Sequence, residues 1–104
     1  MPRRTTLVWT RPALDALLDA VRYIKRDKPL AAERFAALIR AKVGRLRQYP
    51  ESGRLVAEFP ASGLREIVVE DYRIIYRVQQ GRNRVDIVTL RHGTRQLEPP
   101  TDAP

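Results

Sequence analysis

The chain contains no cysteine, and it has only one histidine, one tryptophan and one methionine in 104 residues. Without thiols, a disulfide framework, a cysteine nucleophile and a thiolate metal site are excluded. A single histidine gives none of the usual metal-ligand spacings. We therefore expect no metal and no cofactor.

Long apolar runs are also missing. The basic start, Met1-Pro2-Arg3-Arg4, is followed by only three consecutive apolar residues, Leu7, Val8 and Trp9, before polar and turn residues return. A secretory signal needs about 7 to 15 apolar residues in its core. We therefore expect no export signal, no membrane contact and a cytoplasmic location.

The length suits one compact domain with a single hydrophobic core. The chain is 43% hydrophobic and 31% charged, which is typical of a soluble globular protein. Residues 96–104 contain three prolines and no periodic pattern. The predicted organisation is one domain over residues 1–95, followed by a disordered tail over 96–104.

Basic residues are concentrated in the first half of the chain. Residues 1–48 hold 12 basic and 4 acidic residues, whereas residues 49–104 hold 8 of each, so the first half carries the whole net charge of +8. Such an imbalance attracts phosphate backbones or an acidic protein segment. A solvated helix surface has the same composition, so charge alone does not decide the function.

Two helices are predicted in the first half. Apolar residues recur at helical spacing from Thr10 to about Asp27, with Thr10 as a plausible N-cap. Pro29 interrupts the pattern and suits the first turn of a second helix, whose apolar stripe runs from Ala31 to Leu46. Helices joined by so short a connection pack as an antiparallel hairpin.

The second half is rich in β-strand patterns. Three segments have them, residues 64–70, 72–78 and 85–90, and their short connections suit antiparallel hairpins. Residues 5–9 are a candidate edge strand. Helices in a row followed by strands in a row predict an α+β fold, in which an N-terminal two-helix hairpin packs on an antiparallel sheet of three to four strands.

Arginines dominate the candidate functional residues. Those on or beside the strands are Arg65, Arg73, Arg77, Arg91 and Arg95. If they reach one face, they form a cationic surface suited to a phosphodiester or an acidic peptide. Alternation places Arg73 and Arg77 on one face of their strand and two tyrosines on the other. The only histidine, His92, ends the last strand, and no nucleophile elbow or glycine-rich phosphate loop is present.

The order of short motifs along the chain resembles the RelE/ParE superfamily, the toxins of bacterial type II toxin–antitoxin pairs. The matching pieces are Val8-Trp9-Thr10, Tyr23-Ile24, Tyr49-Pro50, Gly53-Arg54, Leu64-Arg65-Glu66, Tyr72-Arg73-Ile74-Ile75-Tyr76-Arg77-Val78 and His92-Gly93-Thr94-Arg95. The resemblance implies a helical hairpin on a curved antiparallel sheet. It also implies a cognate antitoxin protein as partner, in a two-to-two or larger complex.

The superfamily has two activities. ParE-like members poison DNA gyrase by binding it, and RelE-like members cleave mRNA on the ribosome through attack by a ribose 2′-hydroxyl. Arg65 and Arg95 match arginines that RelE-like nucleases use on the phosphate, with His92 or Glu66 left for proton transfer. Where those nucleases carry paired lysines, this chain has Val56 and Glu58, and residues 96–101 lack their catalytic tyrosine.

This depleted nuclease set favours a ParE-like gyrase poison without catalytic activity. The alternative is a ribosome-dependent endoribonuclease that uses Arg65, Arg95 and His92. A third hypothesis is a basic nucleic-acid-binding module without toxicity, whose affinity would fall steeply with salt.

Overall fold

A computed structural model describes residues 5–93 of the chain. Its elements are β1 (Thr6–Trp9), α1 (Arg11–Asp27), α2 (Pro29–Gly44), β2 (Arg54–Leu55), β3 (Arg65–Val69), β4 (Tyr72–Gln79) and β5 (Arg84–His92). The predicted α+β class with an N-terminal helical hairpin is confirmed. The predicted tail lies outside the described residues, and so does Arg95. None of the described helices is long and apolar enough to cross a bilayer.

The helices begin where their capping residues dictate. The Thr10 hydroxyl accepts a hydrogen bond from the Ala13 N–H at 3.3 Å, which caps α1 as predicted. The same hydroxyl donates to the Ile87 carbonyl at 2.7 Å and so ties the start of α1 to β5. Only Lys28 separates α1 from α2, because Pro29 cannot continue the first helix but can begin the second.

The sheet has five strands in the order β1-β5-β4-β3-β2. This corrects the predicted three to four strands, because β2 has only two residues and is defined by its pairing with β3 rather than by any alternation of its own. It also corrects the wholly antiparallel prediction. The chain passes through both helices and three strands between β1 and β5, and the edge strand β1 runs parallel to its neighbour β5.

The sheet is covered on both faces, to different extents. The helices cover one face, where Phe35 and Ile39 of α2 pack in one cluster with Ile74, Tyr76 and Ile87 of the strands. The other face, here the outer face, carries a smaller cluster formed by residues 56–64, which we term the covering loop. In that cluster the buried side chains are those of Val56, Leu64 and Ile75, with Phe59 and Val88 packed against them.

Candidate functional site

The strand register decides which arginines share a face. In β4, Ile74 and Tyr76 belong to the helix-facing core, whereas Ile75 belongs to the outer cluster. Alternation therefore places Arg73 and Arg77 on the outer face, as predicted from the sequence. Arg91 is paired with Arg73, and directly paired residues lie on the same side of a sheet.

Arg65 lies on the other side of the sheet. Its partner in the register is Tyr76, whose side chain faces the helices. The single cationic surface considered from the sequence is therefore not formed as expected, because Arg65 is separated from Arg73, Arg77 and Arg91 by the thickness of the sheet. The functional roles of these arginines stay predictions.

Four charged side chains form a network beside the covering loop, here the Glu66 cluster: Arg54, Glu58, Glu66 and Arg73. Arg54 donates to Glu66 Oε2 from Nε at 3.2 Å and from Nη2 at 3.0 Å. Arg73 donates to both Glu66 oxygens, and its Nη1 and Nη2 also bind the two Glu58 oxygens at 2.7 and 2.8 Å. Glu66 is only 2% exposed, so a buried carboxylate is held between two guanidinium groups.

The network fixes the ionisation of its members. Burial works to raise the pKa of Glu66, but the hydrogen bonds from Arg73 and Arg54 outweigh it and hold that pKa below its usual value. The hydrogen bond from Arg73 likewise lowers the pKa of Glu58. Glu58 and then Glu66 raise the pKa of Arg73. Glu66 therefore stays ionised with its oxygens bonded, and a carboxylate in that state is a weak proton acceptor.

Gly53 connects the network to the helix-facing side. Its N–H donates to the Tyr76 hydroxyl at 2.8 Å, and its carbonyl accepts from Arg65 Nη1 at 2.8 Å. Burial raises the pKa of Tyr76, so the phenol stays protonated near neutral pH. Arg65 at the start of β3 and Tyr76 within β4 thus hold the chain at Gly53.

His92 lies at the end of β5 and packs against aromatic rings. Its ring meets Tyr72 edge-on with centroids 5.4 Å apart, and Tyr72 lies 5.0 Å from Phe35. Because His92 pairs with Tyr72 in the register, it lies on the helix-facing side, away from Arg73. It lines a cavity of about 490 Å³ together with Asp19 and Tyr23 of α1.

A second depression, here the edge groove, runs beside β3. It has a volume of about 640 Å³, with basic side chains from Lys42, Arg45 and Arg54 and apolar ones from Ile67 and Val68. The two-residue β2 pairs only with Arg65 and Glu66, so the rest of this β3 edge has no neighbouring strand within residues 5–93. An open strand edge beside basic side chains can accept an extended acidic segment.

A protein-family model described as the ParE toxin of the type II toxin–antitoxin system parDE matches residues 7–97. The chain belongs to the ParE toxin family. It is 44% identical over 91 residues to Toxin RelE2 of Caulobacter vibrioides, an alignment that covers 86% of this chain and 96% of that protein. It is 37% identical over 95 residues to the putative toxin Y4kP of Sinorhizobium fredii, covering 89% and 93%.

Two solved structures share the fold of this ParE-family toxin. One is the chromosomal ParDE TA system from P. aeruginosa, with a TM-score of 0.72 and 22% identity over 86% of this chain and 96% of that one. The other is the RelBE2 toxin–antitoxin complex from Mycobacterium tuberculosis, with a TM-score of 0.63 and 22% identity over 86% and 99%. The family model and the relative at 44% identity identify the chain as the toxin component of a type II toxin–antitoxin system.

Sequence reasoning missed part of the site of this ParE-family toxin. Glu58 attracted notice only as the absence of a lysine, and its bidentate contact with Arg73 had no sequence signal. The close approach of Gly53 to Tyr76 was signalled weakly, by a glycine directly after the helical region. The open β3 edge could not be predicted, because it depends on β2 ending after two residues.

Proposed function

We propose that this toxin acts by binding DNA gyrase, without chemistry of its own, and that its antitoxin neutralises it. The observation that supports this most is the separation of Glu66 from the other described nuclease candidates by the thickness of the sheet. Arg65 and His92 lie on the helix-facing side, and Glu66 is on the outer face within a network of ion pairs. A general acid and a general base must reach the same phosphate, and these residues are placed apart.

The covering loop supports the same proposal. At the two positions where RelE-like nucleases carry lysines, Val56 is fully buried in the outer cluster and Glu58 binds Arg73. A buried valine and a carboxylate bonded to Arg73 supply none of the cations that a phosphodiester needs around it in cleavage.

The names of two similar proteins favour the alternative, ribosome-dependent cleavage of mRNA. Toxin RelE2 is a close relative, and RelBE2 is a structural neighbour. Both activities predict growth arrest on expression, so the two must be separated by what purified protein and expressing cells show.

The first prediction distinguishes gyrase binding from mRNA cleavage by a substitution of His92. Purified toxin should block supercoiling by gyrase or trap cleaved DNA, and expressing cells should show no new message ends. Replacing His92→Gln should change gyrase inhibition less than about threefold, whereas loss of a general acid or base would reduce the rate of mRNA cleavage by about 10² to 10⁴. Supercoiling assays and mapping of message 5′ ends provide the measurements.

The control for this experiment is added antitoxin, which should restore supercoiling by wild type and variant alike. New message ends that disappear in His92→Gln, together with normal supercoiling, would replace the proposal with the nuclease alternative.

We place the antitoxin in the edge groove. An extended acidic segment would pair with the open edge of β3, rest apolar side chains on Ile67 and Val68, and meet Lys42 and Arg45. Val68 is 53% exposed beside the unpaired part of the β3 edge, so a segment bound there would bury it.

The second prediction concerns substitutions that reverse the charge at the edge groove. Lys42→Glu combined with Arg45→Glu should weaken antitoxin binding about 10-fold to 100-fold, because two attractive contacts become repulsive. Arg34→Glu with Arg40→Glu is the matched control, since both residues are exposed on α2 and neither lines the groove. Calorimetry at two salt concentrations and rescue of growth by co-expressed antitoxin measure the effect. Equal losses in both double variants would contradict this placement.

A further inference from the structure

Two arginines face each other on the outer face. Arg73 of β4 and Arg91 of β5 are direct partners in the register. Like charges directly opposite each other in a sheet are destabilising. Glu58 and Glu66 compensate Arg73, but within residues 5–93 no carboxylate forms an ion pair with Arg91. The arrangement is therefore one in which a bound anion would relieve repulsion.

The two arginines differ in their hydrogen-bond and ion-pair partners. Arg73 is 12% exposed and binds both Glu58 and Glu66. Arg91 has a buried Nε without a hydrogen-bond partner, and within residues 5–93 no carboxylate lies at ion-pair distance from it. The Glu66 cluster and Arg91 together have three guanidinium groups and two carboxylates, which leaves this region a net charge of +1.

The two carboxylates also differ. Glu66 is 2% exposed and is held by two arginines, so it is a fixed part of the fold. Glu58 is 36% exposed and is bonded only to Arg73 within the cluster. The covering loop that carries Glu58 is also held by Val56 and Leu64, which are buried in the outer cluster, so the Glu58 contact is not its only anchor. Glu58 is the exchangeable ligand.

We infer that Arg73 and Arg91 form a carboxylate-binding site, that Glu58 occupies only its Arg73 side in the free toxin, and that an Asp or Glu of an acidic partner segment replaces Glu58 and binds both arginines. A side-chain carboxylate already binds Arg73 through two oxygens, which favours an acidic protein over a nucleic acid as the ligand. The inference depends on the proposed function only in naming the antitoxin as the source of that segment.

Substitution of Glu58 tests the site. The probe is a fluorescein-labelled octaglutamate peptide at low salt, with labelled octauridylate RNA measured in parallel by anisotropy. Glu58→Gln should bind the peptide about 5-fold to 10-fold more tightly than wild type, because the internal competitor loses its charge. Glu33→Gln, exposed on α2, changes the net charge equally and should alter binding less than twofold. Adding Arg91→Gln to Glu58→Gln should remove the gain.

Each departure from these results overturns a defined part of the inference. Equal gains in Glu58→Gln and Glu33→Gln would mean that net charge alone acts. A gain that survives Arg91→Gln would exclude Arg91, and a larger gain for RNA than for peptide would exclude an acidic protein as the ligand. Gyrase inhibition is scored separately, so its failure affects the proposed function and not the carboxylate site.

A measurement on the wild-type protein tests the same site without any substitution that could disturb folding. Excess octaglutamate should shift the NMR signals of the Arg73 and Arg91 side-chain Nε–H groups and leave that of Arg22, on α1, in place. Shifts of similar size at all three would indicate general attraction and contradict the site.

Discussion

Gly53→Ala is expected to lower the free energy of unfolding by about 3 kcal/mol, because it combines overpacking with the loss of a buried hydrogen bond. A Cβ at this position would lie 2.5 Å from the Tyr76 hydroxyl oxygen and 2.6 Å from the Glu66 carbonyl oxygen. Neither atom can move cheaply, since Tyr76 is fully buried and the carbonyl belongs to β3. The expected fall in melting temperature is roughly 12 to 24 °C for a domain of this size.

Gly81→Ala is the matched control for this substitution. A Cβ at Gly81 meets nothing within 4 Å, so we expect a change within about 0.5 kcal/mol. Urea unfolding followed by circular dichroism measures both variants. A stability of Gly53→Ala equal to that of Gly81→Ala would contradict the tight contact with Tyr76.

Most of the fold could be predicted because its signals are local. Thr10 and Pro29 mark the starts of α1 and α2 within a few residues of where they lie. The alternation of Arg73, Ile75 and Arg77 with apolar residues gave the correct faces of β4, since period-2 patterning survives in a half-covered strand. The parallel pairing of β1 with β5 has no such signal, because it joins residues almost 80 positions apart.

The candidate site was less predictable because it depends on register and loop placement. The sequence shows Arg65 and Arg73 as similar strand arginines, yet pairing with Tyr76 puts Arg65 on the other side of the sheet. Glu58 reaches Arg73 only because Val56 and Leu64 anchor the covering loop on Ile75. Neither relation can be read from spacing, because both are long-range contacts.

The network also changes what the net charge means for function. Arg54 and Arg73 were counted among the basic residues, but their charges are largely answered by Glu58 and Glu66. Positive charge without an ion-pair partner among residues 5–93 remains at Lys42 and Arg45 by the edge groove and at the half-buried Arg91. These groups can attract an acidic segment such as the one proposed for the antitoxin.

Glu66→Gln is expected to lower the free energy of unfolding at neutral pH by about 3 kcal/mol, since removing one member of a buried ion pair leaves the other without compensation. Arg73 keeps Glu58, but that carboxylate is exposed and screened by water. Glu66 is 2% exposed and bonded to two arginines, so its ion pairs stabilise the fold more than the exposed pair of Glu58 with Arg73 does.

The same residue should govern stability in acid. The pKa of Glu66 is lower in the folded chain than its ordinary value of 4.5, so its contribution is complete above pH 4.5 and is lost as the pH falls through the lowered folded pKa. Urea unfolding of the wild type between pH 7 and pH 3 should show this decline, and Glu66→Gln should show a flatter profile below pH 4.5. Glu58→Gln, at the exposed side of Arg73, should flatten it less. If wild type and Glu66→Gln lose stability equally below pH 4.5, the ion pairs of Glu66 do not stabilise the fold.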